Sequence, residues 1–438
     1  MKYAVFGLLL VLGVPVMAGA AAWSGRLRGL LLAALVFSPV LGDLANINFV
    51  SMEAYRGPDR GFEVNLTDLI AWGLVLALLA RDSGRIRWFP FNTGLMAIFF
   101  ALAVVTSVQA AMPLYGAFAL FKFARAYVLY WCVVNCLRTG TSPRYIWAGL
   151  VLAGFTLGAL VVYQKYGLHL YRAHALFDHS NTIPPFANLM LPVLLTWILV
   201  DRTFSRVGFL LGGAAVAGLA MATLATLSRA GMLLAAIGVL TAFVLAARVT
   251  TFRSGAVTRL SATMILALLV ASVGTAKAWD SVVYRFQNAP ESSQEARAEL
   301  NEAARHMTSD NLLLGVGLNN FSHALTETER YRAHLTVTAG EEQGGVVHDI
   351  YRLTAAETGL AGLLIFILVI GRFAWMALGD TLRRVSLGGA VQGGLLSGVM
   401  LNHASGMLEW TFRITPVLYL FAILTGFSVA LAREDGPE

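Results

Sequence analysis

Charged residues are scarce in this chain. Of its 438 residues only 13% are charged and 57% are hydrophobic, whereas an ordinary soluble domain carries about 25% charged residues. The apolar residues fall in blocks of about 18–22, long enough for a helix to cross roughly 30 Å of hydrocarbon. Because backbone groups in that layer find no water, each block must form a helix. The composition therefore excludes an ordinary soluble enzyme and predicts an all-α, polytopic helical membrane protein.

Cysteine is nearly absent, and so are several catalytic motifs. Cys132 and Cys136 lie one helical turn apart in an apolar block without further ligands, so we expect both to be packing residues. The chain has no H-E-x-x-H, no Walker A loop and no G-x-S-x-G. It also has no paired acidic motif of the kind that metal-dependent nucleotide-sugar enzymes use. We therefore predict no metal site and no cofactor.

Apolar blocks that could span a membrane recur along the chain. Their number is about twelve or thirteen, because two neighbouring blocks could form one broken helix. Their approximate bounds are 3–22, 29–46, 66–80, 91–111, 114–137, 145–167, 184–200, 207–226, 230–247, 258–276, 350–371, 386–406 and 414–432.

Basic residues give the chain a formal net charge of +7. They lie in short loops between apolar blocks, which indicates anchoring to anionic lipid and not nucleic-acid binding. They also occupy alternate loops, which the positive-inside rule places in the cytoplasm. These residues are Arg26, Arg28, Arg81, Arg85, Arg87, Arg138, Arg144, Arg202, Arg206, Arg248, Arg253, Arg259, Arg372, Arg383 and Arg384. The remaining connections are predicted to face outward, and they are 43–65, 168–183, the turn at Ser228–Arg229, 277–349 and the turn near Glu409–Arg413.

This loop pattern divides the chain into three regions. Residues 1–276 are predicted to form an N-terminal transmembrane bundle of about ten spans, with the N-terminus outside. Residues 277–349 form a large periplasmic loop, and 350–438 form the C-terminal transmembrane helices with a short cytoplasmic tail.

The long outer loop contains one clear helix signal. Ser292 and Glu295 form a capping-box pattern, and apolar residues follow at helical spacing as far as Met307. Arg297 and Arg305 lie on the more polar side, about 12 Å apart along the axis. The next segment, DNLLLGVGLNNF, is rich in turn formers, and its lone Gly-x-Gly is a weak phosphate-loop signal. We expect an amphipathic helix followed by a bend.

Three polar residues at the predicted outer membrane edge are the main candidates for chemistry. Arg229 lies between two apolar spans, where an arginine is either a functional group or an anchor in the lipid headgroups. Arg297 is either a site residue or part of a solvated helix face. His348 is a natural proton acceptor near neutral pH, or else a histidine in headgroup water with Asp349 as the helix N-cap.

Other polar residues at this edge are secondary candidates. Glu357 is an ionisable group inside a span, so it is either a site residue or the partner of a neighbouring helix. Arg305 is more simply explained as a solvated residue. The others at the outer edge are Asn402, His403 and Glu409.

Several of these motifs together resemble the bacterial O-antigen ligase and O-antigen polymerase superfamily. The similar segments are SSQEARAELNEAARHMTSDNLLLGVGLNNF, HDIYRLTAAETGLAGLLIFIL, TLSRAGML and RAHALFDHSNTIPPFANLMLP. The last begins at Arg172, which becomes a further candidate. The resemblance covers about 170–370. Asp349 stands where the family usually has Asn, Leu313 stands where its bend has Pro, and the odd span count differs from that of the ligases.

The resemblance implies a GT-C-like membrane fold and roles for three positions. Ser228–Arg229 matches the family's arginine turn, Arg297 its loop-helix arginine and His348 its catalytic histidine. In the family the two arginines are implicated in holding undecaprenyl pyrophosphate, and the histidine in activating the acceptor.

The implied reaction is a glycosyl transfer at the periplasmic face of the inner membrane. We expect an inverting, metal-independent transfer from an undecaprenyl pyrophosphate-linked glycan to an acceptor hydroxyl, with lipid A-core as the leading acceptor and membrane lipids as surroundings. A polymerase or a protein O-oligosaccharyltransferase of the same superfamily is the alternative. A lipid-linked glycan transporter is the alternative of another class, but it would need polar groups at the midplane or on both faces.

Overall fold

The computed structural model describes residues 2–250, 291–333 and 345–432. The protein is 78% helical, which confirms the predicted all-α membrane architecture. In chain order the helices are α1 Lys2–Leu8, α2 Val14–Trp23, α3 Gly25–Phe37, α4 Leu66–Arg81, α5 Thr93–Gln109, α6 Pro113–Arg138, α7 Arg144–Val162, α8 Ile183–Val200, α9 Arg206–Ala225, α10 Arg229–Thr250, α11 Glu291–Asp310, α12 Phe321–Glu327, α13 Glu329–Arg332, α14 Ile350–Arg383, α15 Leu387–Gly406 and α16 Thr415–Leu431.

The predicted spans agree with these helices. Every span other than 258–276 coincides at least in part with a described helix, although 29–46 continues past α3 into the 3-10 segment Ser38–Ala45. The span 258–276 lies outside the described residues. By length and apolar composition, 8 helices qualify as candidate membrane spans, and Thr93–Gln109 and Thr415–Leu431 are shorter apolar helices. Cys132 and Cys136 are fully buried and free, as expected of packing residues.

Helix α8 forms the centre of the bundle. All of its residues are buried, and it packs against α9, α10 and α15. Two glycines of α15 allow its close approach: a Cβ on Gly398 would lie 2.5 Å from the Leu189 carbonyl oxygen, and one on Gly394 would lie 3.0 Å from that of Pro192. Small residues at such crossings let helix backbones pack tightly where the hydrophobic effect between helices is weak.

The two ends of the bundle differ in chemistry. At one end, here called the arginine face, the arginine-bearing loops bond to one another: Arg28 pairs with Asp82 at 2.8 Å, and Arg144 donates to Thr203 at 2.8 Å. The opposite end, here called the loop face, carries a two-stranded antiparallel hairpin of β1 Asn46–Ser51 and β2 Gly61–Asn65. The outward stretch at 43–65 was predicted, but its two strands were not.

The ends of the described chain lie at opposite faces. The Tyr3 hydroxyl donates to the Asn48 carbonyl of the hairpin at 2.9 Å, which places the first helix at the loop face. The Leu431 carbonyl accepts from Arg384 at 3.0 Å, on the arginine face. This arrangement agrees with the alternation expected from the loop charges.

The amphipathic helix of the long loop, α11, packs on α14. It includes Ser292 and Glu295, whose side chains lie outside the described residues. Its apolar side is buried as the spacing predicted, and its buried members are Ala296, Leu300, Ala303, Ala304 and Met307.

Helix α14 is broken near its start, and the bend after α11 fills the break. Gly359 has φ 68° and ψ −178°, which are not helical angles. The amides of Val316 and Gly317 donate to the carbonyls of Ala356 and Glu357 at 2.8 and 3.0 Å. These bonds satisfy carbonyl groups that the break leaves without helical partners. The Gly-x-Gly therefore makes a bend, as expected.

Candidate active site

Glu409 is the centre of a polar cluster at the loop face. It lies in the turn between α15 and α16, and its side chain is 14% exposed. Its Oε2 lies 3.0 Å from Nδ1 of His348. Its Oε1 accepts from Arg297 Nη2 at 3.1 Å and from Asn181 Nδ2 at 2.9 Å. One carboxylate thus gathers a histidine, an arginine and an asparagine from distant parts of the chain.

His348 is positioned by the start of α14. Asp349 caps this helix, because its side chain accepts from the amides of Tyr351 at 2.9 Å and Arg352 at 3.1 Å. Val347 directly before it is fully buried. The imidazole between these fixed neighbours is 24% exposed, so it keeps access to the surface while bonded to Glu409.

Arg297 reaches the cluster from α11. Its side chain is 37% exposed, and Nη2 forms the ion pair with Glu409. A guanidinium group has five N–H donors in a planar fork, so one bond to a carboxylate leaves others to face a second anion.

Arg172 and Asn181 extend the cluster toward the α9–α10 turn. Arg172 Nη2 donates to Asn181 Oδ1 at 2.6 Å, and its Nε donates to the Thr226 carbonyl at 2.8 Å. In the same turn, Ser228 caps α10 by accepting from the Gly231 amide at 3.2 Å. Arg229 is the first residue of α10 and is exposed. The chain therefore brings Arg229 to the same face as His348 and Arg297, only three residues from a carbonyl that holds Arg172.

Two other candidates have partners away from this cluster. Arg305 pairs with Glu302 on the exposed side of α11, and this local contact raises the Arg305 pKa. Glu357 is fully buried and pairs with Arg413. For both residues the contacts agree with the simpler interpretation, a solvated helix face for Arg305 and an inter-helix partner for Glu357.

His403 and Asn402 lie at the end of α15. Nδ1 of His403 is 2.8 Å from the Tyr351 hydroxyl, on the first turn after His348. The side chain of Asn402 and Nε2 of His403 are buried and have no hydrogen-bond partner among the described residues.

Neither Asn181 nor the central position of Glu409 was predicted from the sequence. Asn181 belongs to the polar run Asp178–Asn181 just before the apolar helix α8, which is the only local signal that marks it. Glu409 was a secondary candidate, since nothing in its neighbourhood predicts which residues will meet it. Arg413, a lone cation at the start of a span, was not considered as a site residue.

The charges at this cluster favour an anionic ligand. Arg172 and Arg297 are cationic members of the cluster, Arg229 is a cation at the same face, and Glu409 is the carboxylate that bonds to both His348 and Arg297. Arginine forks match phosphate oxygens in bidentate geometry. Within the described ranges no group of three or more His, Cys, Asp or Glu side chains is placed to hold a metal ion.

The fold and this cluster define the class of the protein: a polytopic helical membrane protein with a histidine–carboxylate–arginine site at one end of its bundle. Residues 214–367 match the sequence profile of the family described as O-Antigen ligase. This match, over about a third of the chain, confirms the resemblance seen in its motifs. No curated protein matches the chain.

The matched segment contains part of the cluster. Arg297 and His348 lie within it, as does Arg229 at the same face, and Arg172, Asn181 and Glu409 lie outside it. The family match implies a glycosyltransferase-like enzyme, and together with the membrane helices it suggests a lipid-linked glycan substrate.

Proposed function

We propose that this protein transfers a glycan from undecaprenyl pyrophosphate to a hydroxyl group of an acceptor at the periplasmic face of the inner membrane. Lipid A-core is the leading acceptor. The observation that carries the proposal is the shared contact of His348 and Arg297 with Glu409, at 3.0 and 3.1 Å. A proton acceptor and a phosphate-binding group thereby lie on either side of one carboxylate.

His348 acts as the general base. When its Nδ1–H donates to Glu409, its Nε2 is left unprotonated and can accept the proton of the acceptor hydroxyl. The carboxylate holds the ring in this tautomer and stabilises the imidazolium that forms. A positioned general base accelerates a reaction about 10²–10⁴-fold.

The arginines stabilise the leaving group. The acceptor oxygen attacks the anomeric carbon, the bond from that carbon to the phosphate oxygen breaks, and the configuration inverts. Negative charge then grows on undecaprenyl pyrophosphate, where Arg229 and Arg297 bind it. Removal of one such donor typically costs about 3–4 kcal/mol in the transition state. Since pyrophosphate is already a good leaving group, the transfer needs neither a general acid nor a metal ion.

Both substrates are lipid-bound, so the site is expected to open sideways to the bilayer. The arginine-rich loops meet at the face opposite the site. If those loops are cytoplasmic, as the positive-inside rule predicts, the site faces the periplasm.

A polymerase of the same superfamily, or an enzyme that glycosylates protein, would use the same chemistry with another acceptor. The test is to incubate purified protein and one lipid-linked donor, in EDTA, with each candidate acceptor separately and with none. A single transfer to core lipid supports the ligase, and a growing ladder without added core supports the polymerase. No transfer to any acceptor, combined with movement of donor across vesicle membranes, would support a transporter and refute the proposal.

A further inference from the structure

A second polar cluster lies buried behind the candidate site. Its charged members are Asp59, Lys122, Glu357 and Arg413, here called the buried charge cluster, and Asn319 bonds to it. Their exposures are 3%, 3%, 0% and 4%, and Asn319 is 0% exposed. Two cations and two anions balance, so the cluster is neutral as a whole.

Arg413 is the hub of the buried charge cluster. Its Nε and Nη2 both donate to Asp59 Oδ2, at 3.1 and 2.9 Å, and Nη2 also donates to Asn319 Oδ1 at 3.0 Å. Its Nη1 pairs with Glu357. Its backbone carbonyl accepts from Lys122 Nζ at 2.8 Å, and the same ammonium pairs with Asp59. Both the side chain and the backbone of Arg413 are therefore fixed.

Two members of the cluster, and Asn319 bonded to it, each belong to a chain segment that also carries a site residue. Arg413 lies four residues after Glu409, at the end of the 3-10 turn Thr411–Arg413. Glu357 lies in the first part of α14, which follows His348 and ends at the break at Gly359. Asn319 lies at the end of the bend that follows α11, the helix of Arg297.

Asn319 also fastens the bend to the hairpin and to α6. Its Nδ2 donates to the carbonyls of Asp59 and Tyr115, at 2.7 and 2.8 Å, and its own carbonyl accepts from the Tyr55 hydroxyl. The bend is therefore fixed on two sides, by these bonds and by the hydrogen bonds of Val316 and Gly317 to the broken part of α14.

We propose that the buried charge cluster is a positioning device that sets Glu409, His348 and Arg297 at bonding distance. The inference rests on the proposed function. Its members do not touch the substrate. The Arg413–Glu357 pair fixes the turn that carries Glu409 against the part of α14 between His348 and the break. Asn319 fixes the bend after α11 against both of these segments. Small displacements of reacting groups are costly, since a 1 Å misplacement can reduce the rate roughly 100-fold.

The test variant is Glu357→Gln, which keeps the shape and an acceptor oxygen for Arg413 but removes the charge. A matched control exists in the same bundle. Asp68 pairs with Arg125 at 2.8 Å and accepts from the Tyr419 hydroxyl at 2.9 Å, and it is 2% exposed. Asp68→Asn removes an equally buried charge, but neither Asp68 nor Arg125 lies in a segment that carries a site residue.

The measurements use the full-length protein in lipid nanodiscs, well below its thermal transition. We expect Glu357→Gln to lower kcat by roughly 10–100-fold, a misplacement effect, while donor KM and donor Kd change less than about twofold. Hydrogen exchange should quicken in 345–358 and 405–414. Asp68→Asn should lower the thermal midpoint without lowering kcat.

Two results would overturn the inference: wild-type kcat in Glu357→Gln, or an equal loss of kcat in Asp68→Asn, which would show a general stability effect. If Glu357→Gln does not fold, the double variant Asp59→Asn with Lys122→Met takes its place. This variant removes one charge of each sign, and its kcat is compared with that of Asp68→Asn by the same criteria. Absence of transfer by the wild-type protein would instead refute the proposed function.

Discussion

Glu409→Gln is the most specific perturbation of the site. In the wild-type protein, Oε1 accepts two bonds, from Arg297 and Asn181, and Oε2 faces His348 Nδ1. A glutamine amide has one oxygen and one NH2 group. If the oxygen faces His348, the NH2 group meets two donors. If the oxygen faces the two donors, the NH2 group donates to Nδ1. The second orientation satisfies every group and is therefore expected.

That orientation places the imidazole in the wrong tautomer. Nδ1 now accepts a hydrogen bond, so the ring proton moves to Nε2, which can no longer take the proton of the acceptor hydroxyl. Loss of a correctly oriented base costs about 10²–10⁴-fold in rate, and a carboxylate-to-amide change behind a catalytic histidine costs about 10⁴-fold. We expect kcat to fall about 10³-fold, equal to about 4 kcal/mol in the barrier.

The assay is single-turnover transfer by purified protein with a labelled lipid-linked donor in excess acceptor. Donor binding is measured separately, and it should change little because the arginines remain. Asp380→Asn is the matched control, since Asp380 pairs with Arg384 at the arginine face. A transfer rate for Glu409→Gln within threefold of the control would refute the assignment of Glu409 as the residue that orients His348.

Three further results are expected. Arg297→Lys should raise donor KM or lower kcat by about 10-fold or more, because lysine lacks the planar fork. Arg144→Lys at the opposite face should behave as wild type in the same assay. Equal behaviour of the two variants would contradict the role of Arg297 in binding the diphosphate. Gly359→Ala should destabilise the protein by about 1–3 kcal/mol or prevent folding, since its φ is 68° and a Cβ would lie 2.1 Å from a backbone carbonyl of the facing bend. Gly371→Ala, in the same helix with nothing within 4 Å of the added Cβ, should leave the thermal midpoint unchanged or raise it. Burial alone would raise the pKa of Asp59, but its two cationic neighbours outweigh burial and lower the pKa below 3.8. The stability that Asp59 contributes is therefore complete above that pH and is lost as the pH falls further. The thermal midpoint should decline below about pH 4, and it should decline less steeply in Asp59→Asn.

The helices were predictable because the membrane leaves the backbone little choice. Each apolar block must satisfy its own hydrogen bonds, so hydropathy alone locates it. The packed face of α11 was also predictable, since apolar residues at helical spacing share one side of a helix. His348, Arg229 and Arg297 were found as polar residues at the ends of apolar segments, with the help of the family resemblance.

The partners of these residues could not be read from the sequence. Glu409 meets Asn181 across 228 residues, and Arg413 meets Asp59 across 354. Neither contact leaves a local pattern, because it is made by the packing of separate helices. The hairpin was missed for a related reason: its strands of 6 and 5 residues are short and lie in a polar stretch whose pairing depends on the bundle beneath.

The central claim is that His348 takes the proton of the acceptor. It is tested most directly by comparing wild type and His348→Ala in one purified system, with lipid-linked donor, acceptor lipid and EDTA, and with donor binding measured on the same samples. We expect the variant to bind donor as wild type does and to form product at least about 10²-fold more slowly, the loss expected for a general base. Product formation by His348→Ala at the wild-type rate would contradict the account.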